Sequence, residues 1–191
     1  MAARIGGASR QRERTFARLI AYDVVVQIGL LSDTHGFLDE AIFTYFEKCD
    51  EVWHAGDFGP VEVLDRLKAF KPVRGVFGNI DGAEIRAELT LDLDWECEGL
   101  RIYMTHVGGH PGNYDRWAKK ELVKRKPDLF ICGHSHIARV MRDPKLKLLH
   151  MNPGAAGRMG WHLKRTALRF TIDRKRIGNV ELIELGPRSS K

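Results

Sequence analysis

Short apolar runs that end in a polar turn recur along this chain, and this recurrence constrains the fold more than any other feature. The runs are VVVQIGLL before SDTHG at 32–36, EVWHA before GD at 56–57, VRGVF before GNID at 78–81, LRIYM before TH at 105–106, DLFI before CGHSH at 132–136, and KLLHM before NPG at 152–154. Such runs predict buried strands. Between them, LDEAIFTYFEKC, PVEVLDRLKAF and YDRWAKKELVKRK have apolar residues at helical spacing. Alternating strands and helices predict an α/β fold.

The polar side chains in these turns form a set that suits a cation. In an α/β fold the carboxyl ends of neighbouring strands lie close together, so we expect the turns to converge. Ordinary turn chemistry explains a single aspartate or asparagine at a strand end. It does not explain oxygen and imidazole donors without any lysine or arginine, namely Asp33, His35, Asp57, Asn79, His106, His134 and His136. Without a cation these groups would repel one another or stay unsatisfied, so they predict a metal site.

The number of donors indicates two metal ions. One divalent ion rarely binds more than about six ligands, and a catalytic ion keeps a position open for water. Two ions about 3.5–4 Å apart can stabilise the attacking and the leaving oxygen of a phosphoryl transfer. Carboxylate, amide and imidazole ligands without thiolate favour manganese, iron, cobalt, nickel or zinc over calcium. The sequence does not choose among these metals, and manganese is our working expectation.

The order of these motifs resembles that of the calcineurin-like metallophosphoesterases, and most closely their small bacterial and archaeal phosphodiesterase branch, which includes the retromer scaffold subunit. The resemblance covers about residues 26–185 and includes the turn at 152–154. It implies two packed, mixed β-sheets flanked by helices, a four-layer αββα sandwich. It also implies two ligand sets that share Asp57 as a bridge: Asp33, His35, Asp57 and His136 for one metal, and Asp57, Asn79, His106 and His134 for the other.

The resemblance implies hydrolysis of a phosphate ester by a metal-bridging hydroxide, with no protein nucleophile. It assigns Asn79 and His106 a further role in orienting the substrate phosphate beside the second metal. Asp81 is expected to steer a ligand imidazole or a backbone turn. The alternative for Asp81 is a simple cap on the turn before GAEIRAEL.

The chain departs from the family pattern at two places. Ile80 stands where larger phosphatases of the superfamily have a histidine that protonates the leaving group, and isoleucine has no proton to donate. The turn THVGGHPG is longer than the corresponding turn in many relatives, and it carries His110. We expect His110 to face the substrate and act as general acid, because the unperturbed pKa of histidine is near neutral. A solvated loop histidine is the alternative.

Four other residues near the motifs have weaker signals. Arg158 is expected to contact the substrate phosphate and Trp161 a nucleotide base, with a plain surface turn as the alternative. His54 and His150 lie within apolar strands, which predicts hydrogen-bonded core histidines. The alternation in RTALRFTID and GNVELIEL predicts a closing β-hairpin without chemistry of its own.

Composition bounds the organisation of the chain. With 191 residues, 43% of them hydrophobic, it is long enough for one core, and we expect one domain over 24–186 and a tail over 187–191. The net charge of +6 owes much to the first 22 residues, where five arginines accompany one glutamate. Residues 1–23 are predicted to be an extension outside the core fold, and a transit peptide is the alternative.

Cysteine use and hydropathy limit the cellular context. The three cysteines are widely spaced and include no CxxC pair, which fits a reducing compartment and predicts a cytoplasmic protein. No apolar run approaches the roughly 20 residues that span a bilayer, so no membrane partner is expected. The sequence leaves the oligomeric state open, and a homo-oligomer is compatible with it.

Three classes of function are compatible with these features. The leading prediction is a metal-dependent phosphoesterase, specifically a phosphodiesterase acting on a small or nucleotide-like ester. A protein-binding scaffold of the same fold is the first alternative, although every candidate ligand position keeps a donor side chain. A nuclease is the second alternative. Nucleic acid is not the expected partner, because the basic excess is concentrated before residue 23 and no basic–aromatic surface for stacking bases is evident.

Overall fold

The computed structural model of the protein describes residues 25–189. The predicted extension over 1–23 lies outside the described residues, and the domain boundaries at 24 and 186 stay predictions. No helix among residues 25–189 is long and apolar enough to cross a membrane.

The first of two five-stranded sheets carries three parallel strands in chain order: β1 (Val26–Leu31), β2 (Glu51–His54) and β3 (Val73–Gly75). Two long strands, β11 (Lys164–Asp173) and β12 (Arg176–Pro187), complete it as an antiparallel hairpin beside β1. This hairpin is the one that the alternating pattern near the carboxyl end predicts. The order across the sheet is β12-β11-β1-β2-β3, so the sheet is mixed.

The second sheet has the order β4-β5-β8-β10-β9 and is also mixed. Its central strands β5 (Leu100–Thr105), β8 (Leu129–Ile131) and β10 (Leu148–Asn152) are parallel. The edge strands β4 (Asp92–Cys97) and β9 (Arg139–Asp143) pair antiparallel with β5 and β10. A small hairpin, β6 (Gly109–His110) with β7 (Asn113–Tyr114), follows β5. The central strands match the predicted apolar runs, whereas β4 and β9 are additional.

Helices cover the outer faces of both sheets. They are α1 (Ala41–Tyr45), α2 (Val61–Phe70), α3 (Ala83–Glu88) and α4 (Arg116–Arg125). The helix predicted from LDEAIFTYFEKC is shorter than its pattern, because the residues after Tyr45 form turns before the Asp50 N–H donates to the Gln27 carbonyl oxygen. The helix α4 begins at a capped end, where the Asp115 carboxylate accepts hydrogen bonds from the backbone N–H groups of Trp117 and Ala118.

Alternating side chains divide the core into layers. Between the two sheets lie fully buried residues of both, among them Ile28, Leu30, Trp53, Ile102, Met104, Leu129 and Ile131. The neighbouring residues of β5 and β8, Tyr103 and Phe130, point the other way and pack with Ala118 and Leu122 of α4. On the outer face of the first sheet, Leu31 packs with Ile42 and Leu64 of the first two helices. The layers are therefore helix, sheet, sheet and helix, and the predicted αββα sandwich is confirmed.

Candidate metal centre

The turns that follow five of the strands, β1, β2, β3, β5 and β8, meet at one edge of the sandwich, as the strand-end pattern predicts. At this edge several candidate ligand residues have left-handed backbone with positive φ: Asp33 (55°), His35 (47°), Asp57 (60°), His134 (65°) and His136 (57°). Residues other than glycine rarely adopt this conformation, which costs on the order of 1–3 kcal/mol each and is concentrated at functional sites. Five such residues in three turns at one edge, all of them with donor side chains, make this edge the candidate functional site.

The carboxylate of Asp33 is fully buried at the centre of this edge. Its Oδ2 accepts hydrogen bonds from the Ser32 hydroxyl (2.6 Å) and from the His134 backbone N–H (3.1 Å). Its Oδ1 is buried and has no hydrogen-bond partner among residues 25–189. An unsatisfied carboxylate oxygen in the interior is costly, so Oδ1 is arranged for a group that these residues do not supply.

Imidazole nitrogens surround this unsatisfied oxygen. From Asp33 Oδ1 the distances are 3.2 Å to His136 Nε2, 3.8 Å to His35 Nε2 and 3.9 Å to His106 Nε2. Two ligands that each lie about 2.1 Å from one divalent ion are roughly 3.0–3.4 Å apart in octahedral or tetrahedral geometry. The 3.2 Å pair of Asp33 and His136 has the spacing of two ligands of one ion, whereas the two longer distances exceed it. The chemistry of all these atoms suits divalent metal ions.

Asp57 provides the second buried carboxylate, and it lies between two of the same imidazoles. Its Oδ2 is 3.3 Å from His106 Nε2 and 3.7 Å from His35 Nε2, while its Oδ1 accepts a hydrogen bond from the Ile80 N–H (3.1 Å). Burial alone would raise the pKa of Asp57, but the hydrogen bond and charge of His106 together with the Ile80 N–H lower it overall. Asp57 is therefore held as a carboxylate that can bind a cation.

His106 has its ring fixed by the backbone. Its Nδ1 lies 2.8 Å from the Ala55 carbonyl oxygen, which can only accept, so Nδ1 carries a hydrogen and Nε2 faces Asp57 and the Asn79 Oδ1 at 3.0 Å. Burial alone would lower the pKa of His106, but the hydrogen bond to Asp57 and the charges of Asp33 and Asp57 raise it overall. This corner of the site thus attracts positive charge.

His35 and His136 present their Nε2 atoms to each other at 3.3 Å, with ring centroids 5.3 Å apart. Burial is the largest cause of a lowered pKa for His35, and the neighbouring histidines add to it. A neutral imidazole is the form that binds metal. His35 and His136 therefore converge beside the buried Asp33 carboxylate in an arrangement that suits two ligands of one ion.

The remaining two candidate ligands lie at the exposed margin. Asn79 is exposed and reaches the site through its contact with His106. His134 is also exposed, and its ring packs edge-on against His106 with centroids 5.2 Å apart. Its backbone N–H, not its ring, contacts Asp33. Both residues are in the neighbourhood that the sequence predicts, on the His106 side of the centre.

Two groups of potential ligand atoms emerge among residues 25–189. One contains Asp33, His35 and His136, and the other contains Asp33, Asp57 and His106, with all ligand atoms of a group within 4.8 Å of one another. Asp33 belongs to both groups, and Asp57 also lies between imidazoles of both. The two ligand sets and the bridging role of Asp57 stay predictions. In this arrangement two carboxylates, Asp33 and Asp57, lie between the imidazoles of the two groups.

Asp81 fixes the turns that carry Asp57 and Asn79. It is 4% exposed, and its carboxylate accepts hydrogen bonds from the backbone N–H groups of Asp57 (3.0 Å), Gly59 (2.9 Å) and Gly78 (2.7 Å). These bonds join two separate turns, which favours the predicted steering of a backbone turn over a local cap. Gly78 allows the close approach, since a Cβ there would lie 2.0 Å from Asp57 Oδ1.

Three residues with predicted substrate contacts, His110, Arg158 and Trp161, lie at the periphery of the centre. His110 is half-buried in the β6–β7 hairpin, and its Nδ1 lies 3.0 Å from the Pro111 carbonyl oxygen. Within residues 25–189, no hydrogen bond, ion pair or ring contact joins His110 to a candidate ligand. Arg158 is exposed and stacks on Phe37, 3.9 Å from the ring centroid. Trp161 is fully exposed.

The two predicted core histidines differ from each other. His54 is fully buried, with Nε2 3.0 Å from the Thr34 hydroxyl and Nδ1 accepting from the Gly56 N–H at 3.2 Å, as predicted. Burial lowers the pKa of His54 well below its usual value. His150 is also fully buried, but neither of its ring nitrogens has a hydrogen-bond partner among the described residues. The prediction of a hydrogen-bonded role for His150 is therefore wrong.

One contact of the site has no clear signal in the sequence. His162, in the segment between β10 and β11, packs edge-on against His136, with ring centroids 5.2 Å apart and Nδ1 atoms 3.3 Å apart. The backbone passes close to this pair at Gly160, where a Cβ would lie 2.1 Å from His136 Nδ1. The sequence shows a histidine within GRMGWHL, but it contains no signal that this histidine contacts His136.

Comparison with known proteins agrees with this geometry. Residues 26–175 match the calcineurin-like phosphoesterase superfamily domain. Probable metallophosphoesterases from Methanocaldococcus jannaschii and Methanothermobacter thermautotrophicus are 28% identical over 158 residues and 29% identical over 133 residues. These alignments cover 80% and 67% of this chain, and 79% and 76% of the relatives.

Solved structures share the fold. A novel archaeal phosphodiesterase superposes with a TM-score of 0.67 at 23% identity, over 84% of this chain and 100% of that one. Vps29 of Entamoeba histolytica in complex with Zn²⁺ superposes with a TM-score of 0.66 at 16% identity, over 86% of this chain and 100% of that one.

Proposed function

The chain belongs to the calcineurin-like phosphoesterase superfamily, in its small metallophosphoesterase branch, and on this premise we propose that it is a phosphodiesterase that uses two divalent metal ions. The family identifies a metal-dependent phosphoester hydrolase. The observation that carries the finer proposal is the buried Oδ1 of Asp33, which has no hydrogen-bond donor within the described part of the chain and faces three imidazole nitrogens. A bound cation would satisfy such an oxygen.

We assign the ligands as the resemblance to the family implies, with Asp57 shared by both ions. Asp33, His35, Asp57 and His136 would hold one ion, and Asp57, Asn79, His106 and His134 the other. When bound, the ions would supply the activation of water and the neutralisation of phosphoryl oxygens, with manganese as the first choice and iron, nickel, cobalt or zinc as alternatives. Asn79 and His106 would orient the substrate phosphate, because the exposed Asn79 contacts the buried His106 ring through its Oδ1 at the margin of the centre.

A cavity beside His106 supports a diester as substrate. A volume of about 380 Å³ opens next to His106 and Asn79, with apolar walls from Phe77, Leu91 and Trp117. Leu91 is 50% exposed and Trp117 39% exposed, so a planar apolar group can contact them. A phosphate monoester has only one organic group to place, whereas a diester has a second one that this cavity can accept. We therefore infer a small diester with at least one aromatic or nucleoside-like group.

Protonation of the leaving group is assigned to His110, since Ile80 has no proton to donate. His110 is half-buried and lies in the hairpin that follows the His106 strand. We expect His110→Ala to lower kcat about 10²-fold or more for an ester with a poor leaving group. The same variant should keep nearly the wild-type kcat for a nitrophenyl ester, whose leaving group needs no proton. If the wild type and His110→Ala hydrolyse the ester with the poor leaving group equally fast, this assignment is wrong.

Arg158 is assigned to the substrate phosphate beside the turn that carries His35. Its guanidinium stacks on Phe37, two residues after His35, and this contact holds a positive charge next to that turn. Arginine binds phosphate through paired N–H groups. We expect Arg158→Ala to raise KM for the diester and to leave kcat nearly unchanged.

The proposal is tested by metal replacement with a matched pair of variants. The purified protein is stripped with a chelator, reloaded with Mn²⁺ and assayed with p-nitrophenyl phosphate and bis-(p-nitrophenyl) phosphate. We expect hydrolysis to return with Mn²⁺ and to favour the diester. Asp57→Asn should reduce kcat/KM by at least about 10²-fold, because a buried carboxylate between two imidazoles is lost. Asp65→Asn makes the same chemical change on the exposed surface of α2 and should have no effect.

The cavity has its own test. Trp117→Ala should lower kcat/KM for the aryl diester about 10-fold, since one apolar contact in a binding pocket is worth about 10–200-fold. Val123→Ala on the same helix removes a side chain that is 53% exposed and does not line the cavity, and it serves as the control.

Other results would favour the other candidate functions. Binding of metal without hydrolysis of either ester would favour a protein-binding scaffold of this fold. Strongly salt-dependent binding of DNA or RNA would favour a nuclease. We place the protein in the cytoplasm, because Cys49, Cys97 and Cys132 are unpaired thiols and such cysteines are typical of a reducing compartment.

A further inference from the structure

His162 has the contacts of a residue that orients a metal ligand. It lies in the segment between β10 and β11, outside all of the recognised motifs, and its ring meets the ring of His136 at 71°. The two Nδ1 atoms are 3.3 Å apart, so one of them must donate a hydrogen and the other must accept it. Which of the two donates decides the tautomer of His136.

The other nitrogen of His162 settles the direction of this hydrogen bond. His162 Nε2 lies 3.1 Å from the Gly157 carbonyl oxygen, which can only accept, so Nε2 carries a hydrogen. In a neutral imidazole the remaining nitrogen, Nδ1, then has the lone pair. His136 Nδ1 must therefore donate its hydrogen to His162, and His136 Nε2 has a free lone pair.

That lone pair points to the centre of the proposed metal site. His136 Nε2 lies 3.2 Å from the unsatisfied Asp33 Oδ1 and 3.3 Å from His35 Nε2. The His106 ring is oriented in the same way, with Nε2 toward the centre, but by the backbone: its Nδ1 donates to the Ala55 carbonyl oxygen. The conformation of Gly160 (φ 118°) fits this arrangement, since a Cβ there would collide with His136 Nδ1 at 2.1 Å.

We propose that His162 is a positioning residue that holds His136 in the tautomer with a free Nε2 lone pair and thereby raises the metal affinity of the Asp33–His35–His136 group. Hydrogen-bond partners of metal-bound histidines fix ring orientation and typically change metal affinity by about 10–100-fold. The inference rests on the proposed metal centre, but it concerns a side chain that does not itself contact the ion or the substrate.

The test compares two variants of the full chain. His162→Leu removes the acceptor, whereas His162→Gln restores one, because its amide oxygen can accept from His136 and its NH₂ can donate to Gly157. Leu163→Ala changes an 86% exposed neighbour and controls for disturbance of the segment. Zn²⁺ affinity is measured by competition with a chromophoric chelator, since Zn²⁺ is redox-inert and suits NMR. The tautomer of His136 is read from long-range ¹⁵N-edited NMR spectra of the metal-free protein.

We expect His162→Leu to weaken Zn²⁺ binding about 10–100-fold, and the Gln and Leu163→Ala variants to stay within about 3-fold of the wild type. His136 should be protonated on Nδ1 in the wild type and the Gln variant, but not uniformly in the Leu variant. Unchanged affinity in His162→Leu, or a wild-type His136 protonated on Nε2, would overturn the role of His162 and leave the metal centre intact. A wild type that binds no Zn²⁺ would instead refute the metal centre, and the role of His162 with it.

Discussion

Replacing His150 should make the protein more stable and remove part of its acid sensitivity. The ring lies on β10, packed against Phe130 and Tyr114 with centroids 5.6 and 6.3 Å away, and it is fully buried. Both ring nitrogens lack hydrogen-bond partners among residues 25–189. Burial is the largest cause that lowers the pKa of His150 from its usual 6.5 to about 4, and the nearby charges of Arg139 and His110 contribute.

The size of the effect follows from this pKa. The folded protein keeps His150 neutral down to about pH 4, whereas the unfolded chain protonates it below about pH 6.5. The unfolded state thus binds more protons within this window, so the free energy of unfolding rises with pH across it and falls as the pH drops. Below both pKa values the loss reaches roughly 3 kcal/mol, since each pKa unit corresponds to about 1.4 kcal/mol.

The assay is urea unfolding of metal-free protein at pH 7.5, 5.5 and 4.5, followed by circular dichroism. His150→Leu should gain about 1–2 kcal/mol at pH 7.5, because a buried polar ring without partners is replaced by an apolar side chain. Between pH 7.5 and 4.5 it should lose about 2–3 kcal/mol less than the wild type. His150→Gln separates the two effects, since it cannot be protonated but keeps a polar group in the core. The free energy of unfolding of His150→Gln should lack the pH dependence that comes from His150, but it should show no gain over the wild type at pH 7.5.

The same pH dependence in wild type and His150→Leu would refute this reasoning. It would mean that the buried ring is already satisfied, for instance by water, or that it is protonated as easily in the folded state as in the unfolded chain.

Two further predictions concern the backbone at the centre. Gly78→Ala should abolish metal binding and cost about 1–3 kcal/mol of stability, because the new Cβ would overlap Asp57. Gly82→Ala is the control and should be harmless, since a Cβ there would meet no atom of residues 25–189 within 4 Å. Calorimetry of Mn²⁺ binding distinguishes the two variants. His134→Gly should stabilise the metal-free protein by about 1 kcal/mol, because glycine adopts left-handed backbone without strain, and it should lower activity. Lys126→Gly, at another left-handed position, should stabilise the protein without loss of activity. Urea unfolding and a diester assay test this pair.

The sequence was sufficient for the architecture of the site, because each apolar run specifies both a strand and the turn at its end. Asp33, Asp57 and His106 were predicted from that pattern, and the structure brings them together at one edge. The edge strands β4 and β9 were not predicted. They are only half-buried and carry charged residues among the apolar ones, so the burial signal that marks a central strand is weak in DLDWEC and RVMRD.

The partners of the ligands could not be predicted, because they depend on contacts between distant parts of the chain. His162 lies 26 residues after His136, and the Ala55 carbonyl that fixes His106 lies 51 residues before it. Neither contact has a local spacing that a pattern could detect. The difference between His54 and His150 has the same origin, since both lie in apolar strands and only the fold determines whether a hydroxyl or an aromatic ring faces each imidazole.

The left-handed backbone of the candidate ligand residues favours function at the expense of stability. Five residues here have left-handed backbone: Asp33, His35, Asp57, His134 and His136. Each costs on the order of 1–3 kcal/mol, so together they cost at least roughly 5 kcal/mol, which is comparable to the whole stability of a small domain. A polar turn without a ligand would be more stable with glycine at these positions. Aspartate and histidine at these positions, with Asp33 Oδ1 unsatisfied among residues 25–189, are what we expect of side chains that bind a cation at a cost in stability.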